Sequence, residues 1–274
     1  MSDLSKRPNT VAIMVSTYNW PEALERCVQT ILAQDRLPDE ILIADDGSGE
    51  ATKQAVERLK SLSKVPIHHI WHPDEGFRLS VIRNKAIEAA QSEYIIQIDG
   101  DILLDPHFIS DHLSLIEPNA FLCGSRVWVD QEQSKELLEQ KGTIKVDKSK
   151  FPLSFILNSM RSGFLSRFLA DRYKKNQPKI LRGCNMSFWK SDLIKVNGYN
   201  ESIQGWGSED SEMAFRLMNS GVKKRFLKFA AVAYHLYHKE NNKDNLAKND
   251  LILEETIDQK KTWTDFGIKK DSKS

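Results

Sequence analysis

Tyr94-Ile-Ile-Gln-Ile-Asp-Gly-Asp101 is the stretch on which the reading of this chain turns. A short apolar run ends abruptly in two carboxylates one residue apart, at the exit of what reads as a buried strand. Asp99 and Asp101 can face the same open edge there, and hard oxygen ligands of this kind suit Mg²⁺ or Mn²⁺ bound to the phosphates of a nucleotide. Asp-Gly after a strand is also ordinary turn chemistry. The run by itself therefore leaves a turn and a metal site open.

The surroundings repeat one unit. Residues 11–18 are apolar and partly β-branched, Asn19-Trp20-Pro21 punctuates them, and Leu24, Cys27, Val28, Ile31 and Leu32 follow at helical spacing. Glu40–Ala44 then runs into Asp45-Asp46-Gly47-Ser48 and a helical stretch to about residue 62. Val65–Trp71, a helix through Ile82, Ala86 and Ala90, and the strand at 94–98 complete the series. Alternation of helices with continuously apolar strands predicts an α/β fold, a mostly parallel sheet with helices on both faces. Ligands of such sheets sit beyond the carboxyl ends of the strands. Thr17, Tyr18 and Asn19 fall there after the first strand, Asp45 and Asp46 after the second, and Asp99-Gly100-Asp101 after the fourth. Neither Gly-x-Gly-x-x-Gly nor Gly-x-x-x-x-Gly-Lys-Ser/Thr occurs, so a nucleotide would be held by acids, an arginine and a metal.

At 274 residues and 40% hydrophobic content the chain can bury a full core. Lys and Arg (39) balance Asp and Glu (38), which gives no global reason to expect nucleic acid as a partner. Cys27, Cys123 and Cys184 are too far apart, and odd in number, for a disulfide framework or a structural zinc site, and fit a reducing compartment. The start, Met1–Pro8, lacks an apolar leader core and no stretch approaches a bilayer span. The expectation is a cytoplasmic protein with peripheral contact to the inner face of the membrane. Residues 141–182 are the segment for that contact: eleven Lys/Arg against two Asp, interleaved with Phe151, Phe155, Ile156, Phe164, Leu165 and Phe168. They read either as a solvated insertion packed by its aromatics or as a surface for an anionic, lipid-linked acceptor. Of the rest, Phe121–Val129 reads as a strand, 131–141 as a short polar helix and 224–237 as one or two strands. The tail after about residue 240, with an amphipathic stretch at Leu251–Ile257, yields no functional reading.

A second constellation lies in Arg182-Gly-Cys-Asn185-Met-Ser-Phe-Trp189, Asn197-Gly-Tyr199-Asn and Gln204-Gly-Trp206-Gly-Ser-Glu209-Asp210. An indole stacks on the C–H face of a pyranose, while amides and carboxylates take hydroxyl hydrogen bonds in pairs. The glycines beside Trp206 allow a sharp turn and close approach to a ligand. From Ser208 the pattern is helical, through Met213, Phe215, Leu217 and Met218 to a stop at Gly221. Ser208 is then the N-cap, and Glu209 and Asp210 occupy the first turn, where acids complement the dipole of any helix. His235 and His238, three apart after a strand, suit Mn²⁺ beside an Asp-x-Asp site.

Val-Ser-Thr-Tyr-Asn19, Ala-Asp-Asp46-Gly-Ser, Arg83-Asn-Lys-Ala and Ile-Asp99-Gly-Asp101 resemble the family-2 glycosyltransferases of the GT-A fold. Arg182-Gly-Cys-Asn-Met-Ser-Phe and Gly205-Trp-Gly-Ser-Glu-Asp210 resemble β-1,4-galactosyltransferases and the hexosaminyl-transfer domain of chondroitin polymerases. The resemblance covers about residues 10–240. It implies one domain over 1–274, with a nucleotide-sugar half near 10–130, the basic insertion at 141–182 and an acceptor and catalytic half near 180–240. The implied activity is inverting and dependent on Mn²⁺ or Mg²⁺. It moves a hexose or N-acetylhexosamine, of galactose or N-acetylgalactosamine type, from a UDP-sugar to a glycan or lipid-linked glycan in bacterial surface polysaccharide synthesis. By residue, Asp46 would read the uracil, with Thr17, Tyr18, Asn19, Arg78, Asn84 and Asp99 around the nucleotide. Asp101 and His238, in preference to His235, would hold the metal, Asn185, Trp206 and Glu209 would meet the sugars, and Asp210 would be the catalytic base. Ser208 stands where the galactosyltransferase pattern has Gly, which leaves the donor's C2 substituent open. Two rival classes are a sugar-nucleotide pyrophosphorylase, which wants a Gly-rich basic loop after the first strand, and a non-catalytic glycan-binding module, for which Trp206 and the Asn residues suffice.

Overall fold

The computed structural model describes residues 7–175, 177–239 and 242–270. Met1–Lys6, part of the start that was read for a leader, and Glu240 and Asn241 of the motif that His238 opens, lie outside them. The first half runs β1 (Val11–Thr17), α1 (Pro21–Leu32), β2 (Glu40–Asp45), α2 (Glu50–Leu62), β3 (Ile67–Trp71), α3 (Leu79–Ala89) and β4 (Tyr94–Asp99). After it come β5 (Ile102–Leu104), α4 (Phe108–Ser114), β6 (Ala120–Gly124), β7 (Val127–Trp128), α5 (Gln131–Glu139), α6 (Leu153–Ser159) and α7 (Gly163–Leu169). The chain continues through β8 (Met186–Trp189), α8 (Lys190–Lys195), α9 (Glu209–Asn219), β9 (Lys223–Leu227), β10 (Ala233–His235) and α10 (Leu246–Asp258).

Seven strands form one sheet in the order β3-β2-β1-β4-β8-β6-β9, and β5-β10-β7 form a second, smaller one. The pairs β1–β2, β1–β4, β2–β3 and β6–β9 are parallel, while β8 runs antiparallel to both β4 and β6. The central strands are buried from end to end, so alternate residues feed two cores. Ile13, Val15, Ile41, Ile43, Ile96 and Ile98 pack with α1 and α2 through Leu24, Val28, Ile31 and Val56. Ala12, Met14, Leu42, Ala44 and Ile95 pack with α3 and α9 through Ile82, Ala86, Met213 and Leu217.

One expectation changes. Phe121–Val129 is not one strand: the chain bends after Gly124, whose N–H donates to the Asn185 carbonyl at 2.8 Å, and β7 joins the smaller sheet. Of the one or two strands expected over 224–237 there are two, β9 and β10, one in each sheet. The insertion at 141–182 carries α6 and α7. The helical stop at Gly221 is as expected: φ is +90°, and Gly221 and Val222 donate back to the carbonyls of Met218 and Leu217, the paired bonds of a Schellman turn.

α9 is anchored by a charge pair with no access to water. Arg216 donates to both oxygens of Glu212 at 2.8 and 2.7 Å and to the carbonyls of Val196 and Gly198, and Thr256 of α10 donates to Glu212 at 3.1 Å. Removing one partner strands the other's charge in the core. Arg216→Met is expected to lose roughly 3–5 kcal/mol of stability in a urea melt. The double replacement Arg216→Met/Glu212→Leu should recover much of it, and a single-variant loss under about 1 kcal/mol would contradict this reading.

Candidate active site

Strand register brings the polar exits side by side. Thr17 aligns with Asp45 and Ser16 with Asp99, and the Asp46 and Gly100 N–H groups donate to the carbonyls of Thr17 and Ser16 at 3.0 and 2.7 Å. Behind them Arg83 of α3 is fully buried. Its Nε donates to Ser16 Oγ at 3.1 Å, Nη2 to Asp99 at 3.1 Å and Nη1 to Asp210 at 2.9 Å, with Glu209 at 3.8 Å. Burial works against its charge, but Asp210, Tyr199, Asp99 and Glu209 together outweigh that and hold it protonated. Asp210 Oδ1 also accepts from Gln97 Nε2 at 2.9 Å and lies 2.9 Å from the Tyr199 hydroxyl. Its other oxygen faces Gly183, where an added β-carbon would fall 1.7 Å from it; only glycine fits.

The neighbouring acids are forced toward neutrality. Burial pushes Asp99 up to about 6 despite Arg83. Burial, reinforced by the charge of Asp210, pushes Glu209 up to about 8, and Glu209 Oε2 is buried without a hydrogen-bond partner.

The second carboxylate of the Asp99-x-Asp101 pair points elsewhere. β10 pairs antiparallel with β5, His235 opposite Ile102, and the Leu236 N–H donates to the Asp101 carbonyl at 3.0 Å. That brings His238 Nε2 to 3.3 Å and His235 Nε2 to 3.8 Å from Asp101 Oδ2. One ligand atom from each of Asp101, His235 and His238 lies within 4.8 Å of the others. These residues fit a divalent cation. Asp101 Oδ1 is buried with no partner, and each histidine is within hydrogen-bond distance of a carbonyl through Nδ1, Leu236 and Lys239 respectively, which orients Nε2 as the lone pair. Burial lowers the pKa of His235, which favours the neutral ligand form. Sequence reasoning preferred His238 over His235, yet strand pairing brings both to the same carboxylate.

On the nucleotide side, Asp46 accepts from His72 at 2.7 Å and from the Arg78 N–H at 2.9 Å, while Asn19 bridges to Gly49 and Ser48. Tyr18 is exposed and donates to Asp74 at 2.9 Å. Arg78 pairs with Glu75 at 2.5 Å, and its Nε is buried and unpartnered. A cleft of about 630 Å³ runs from Phe77 and Arg78 to Trp206 and Asn245.

The Trp206 loop is held from the tail. Gly205, Gly207 and Ser208 all have positive φ (74°, 107° and 71°). Ser208 sits at the N-cap position but does not cap: its hydroxyl donates to Asp250 of α10 at 2.5 Å. Asn249 donates to the carbonyls of Gln204 and Gly207 at 3.0 and 3.1 Å. The tail that gave no functional reading thus shapes the loop.

Two expected ligand contacts are structural instead. Asn84 spends both donors on the Tyr199 carbonyl and Glu201 and accepts from the Tyr199 N–H, and so braces the Tyr199 turn. Asn185 is wholly buried; it donates to the carbonyls of Ser125 and Ala231 and pairs with His112. Sequence reasoning gave no individual role to Arg83, Gln97, Tyr199, Gly183 or Arg126 near the acids. Arg126 stacks on Trp128 at 4.2 Å, and Trp128 packs on His235 at 4.3 Å. Of these only Arg126, an arginine just after β6, carries a local signal.

Residues 12–196 match the glycosyl transferase family 2 pattern. The chain belongs to that family. Residues 165–239 also match the N-terminal domain of galactosyltransferase. Chondroitin synthase of Escherichia coli is 27% identical over 264 residues, covering 89% of this chain and 37% of that protein. Hyaluronan synthase of Pasteurella multocida is 23% identical, with 89% and 26% covered. This glycosyltransferase therefore spans 37% and 26% of the length of these two relatives. Among solved structures, the mannosyltransferase PcManGT of Pyrobaculum calidifontis, in complex with GDP-Man and Mn²⁺, shares the fold at TM-score 0.59 and 18% identity, with 87% of this chain and 59% of that one covered. S. aureus TarS 1–349 does so at 0.61 and 15%, with 92% and 65% covered. The sheet is thus that of the GT-A glycosyltransferases. No helix among the described residues is long and apolar enough to cross a membrane.

The raised pKa of Glu209 has a stability signature. The folded chain keeps this proton to about pH 8, whereas an unfolded Glu releases it near about 4.3, so stability falls as pH rises between those values. Glu209→Gln removes that loss. Its melting temperature minus that of wild type should grow from about pH 5 to about pH 8.5; a difference independent of pH would contradict the assignment.

Proposed function

We propose that this glycosyltransferase is an inverting, metal-dependent enzyme that moves a hexose or N-acetylhexosamine, of galactose or N-acetylgalactosamine type, from a UDP-sugar to a hydroxyl of a glycan in bacterial surface polysaccharide synthesis. The observation that carries the proposal is that the exit of β4 places Asp99, paired with the Arg83 that holds Asp210, two residues before Asp101 of the Asp101–His235–His238 cluster. Asp101, His235 and His238 would hold Mn²⁺ or Mg²⁺, which when bound supplies positive charge to the departing diphosphate. The polysaccharide synthases among the relatives, and the UDP bound in one TarS structure, support the donor and acceptor classes.

This chain's own groups divide the remaining work. Asp46 and Arg78, joined at the rim, orient the nucleoside, with Tyr18 exposed beside them as an aromatic contact. Arg83, Gln97 and Tyr199 fix Asp210 through one oxygen, and the other takes the acceptor hydroxyl proton as attack begins on the face opposite the diphosphate. A carboxylate is a weak base toward a ground-state hydroxyl. The hydroxyl acidifies as its oxygen bonds to the electron-poor anomeric carbon, so the transfer occurs late. Inversion converts an α-linked donor into a β-linked product. Glu209, protonated at neutral pH, donates a hydrogen bond to a sugar oxygen, while Trp206 offers its ring to a pyranose face.

UDP release from a panel of UDP-sugars with Mn²⁺ names the donor without knowledge of the acceptor. On the best donor, Asp210→Asn is expected to cut turnover about 10²-fold or more while calorimetric UDP affinity stays near wild type. Near-normal turnover, or loss of UDP binding equal to the loss of rate, would overturn the assignment. Asp101→Ala, His235→Ala and His238→Ala should each weaken Mn²⁺ and UDP binding together. A His235→Ala variant with unchanged Mn²⁺ affinity would remove that residue from the metal site.

A further inference from the structure

α6 packs the partly buried Phe155 and Ile156 against the core, yet α6, α7 and the turn between them also present a row of large apolar side chains to solvent. Along them Leu153 (76% exposed), Leu157, Met160, Phe164 (81%), Leu165 and Phe168 (54%) face solvent, whereas Ser159 and Ser166 are buried. A soluble helix buries its apolar stripe and exposes its serines. Here folding has placed six large apolar side chains within sixteen residues on the outside, a patch of the kind that marks an interaction surface. Packing does not explain it, since α7 is fixed to the body by other groups. The Ser162 N–H donates to the Phe229 carbonyl at 2.8 Å, the Phe226 N–H donates to the Ala170 carbonyl at 2.9 Å, and Arg161 pairs with the buried Asp111 at 2.8 Å.

The charge around the patch identifies what it meets. Between residues 160 and 182 seven Lys/Arg stand against one acid, Asp171, and that carboxylate is taken by Arg225 at 2.7 Å. Among the described residues Arg167, Lys175 and Lys179 have no acidic partner, and Arg172 lies over the Phe168 ring at 4.5 Å. A second copy of the chain on a two-fold axis would bring this basic rim against itself. An anionic bilayer satisfies both features, apolar side chains entering the acyl boundary and cations meeting headgroup phosphates. We propose that α6 and α7 are the face by which this enzyme docks on an anionic membrane leaflet. The same segment runs on to Gly183 against Asp210, so docking would set the catalytic cleft close to a lipid-linked acceptor.

The test uses the full chain and vesicles of equal parts phosphatidylglycerol and phosphatidylcholine, against phosphatidylcholine alone. The protein should co-sediment with the anionic vesicles at low salt, fall away steeply toward 0.5 M NaCl and ignore the neutral ones. Each cation near an anionic leaflet is worth about fivefold in partitioning. Arg167→Glu/Lys175→Glu should therefore weaken binding by more than about 25-fold, and Phe164→Ser/Phe168→Ser should also abolish sedimentation, both with UDP affinity and melting temperature unchanged. Absence of binding to anionic vesicles at low salt would overturn the proposal. So would binding insensitive to both variants, or a concentration-dependent dimer that the Phe164→Ser/Phe168→Ser variant dissolves.

Discussion

The site depends on one guanidinium. Arg83 is fully buried and is the shared partner of Ser16 on β1, Asp99 on β4 and Asp210 on α9, so it joins the nucleotide-side strands to the helix that carries the proposed base. A single cation cannot neutralise Asp99, Glu209 and Asp210 at once. The excess is relieved by protonation: Asp99 is pushed up to about 6 and Glu209 to about 8, while Asp210, with three partners on one oxygen, takes the strongest share of the arginine. Three neighbouring carboxylates thus acquire separate roles from burial and hydrogen bonding alone. The fourth, Asp101, turns toward His235 and His238.

The same economy explains the second half of the chain. A loop with three residues at positive φ around Trp206 has little stability of its own. Asn249 and Asp250 of α10 hold it from outside, and the Glu212–Arg216 pair holds α9 from beneath. Gly183 supplies the space into which Asp210 fits. The proposed catalytic carboxylate therefore owes its position to residues spread from β1 to α10, most of which touch no ligand themselves.

The parallel sheet, the strand exits at Thr17, Asp46 and Asp99, and the helix that begins after Ser208 were all legible in the sequence, because periodicity and turn chemistry are local signals. Less legible were features set by partners distant in the chain. Asn84 and Asn185 carry the residue type of a sugar contact, but their amides close backbone carbonyls of turns that only the tertiary fold brings to them. Ser208 reads as a capping serine, yet its hydroxyl answers to Asp250, forty-two residues on. His235 was undervalued because its approach to Asp101 comes from the β5–β10 pairing, and strands of three residues leave almost no sequence trace.

Whether Arg83 acts through Asp210 can be measured directly by a double-mutant cycle on UDP-sugar turnover with Arg83→Met, Asp210→Asn and the double variant. If the arginine's part in catalysis is to hold the carboxylate, the double variant will be scarcely slower than the worse single one, with a coupling of at least about 1.4 kcal/mol, or tenfold. Losses that simply multiply would mean that the two residues act independently, and would contradict the account.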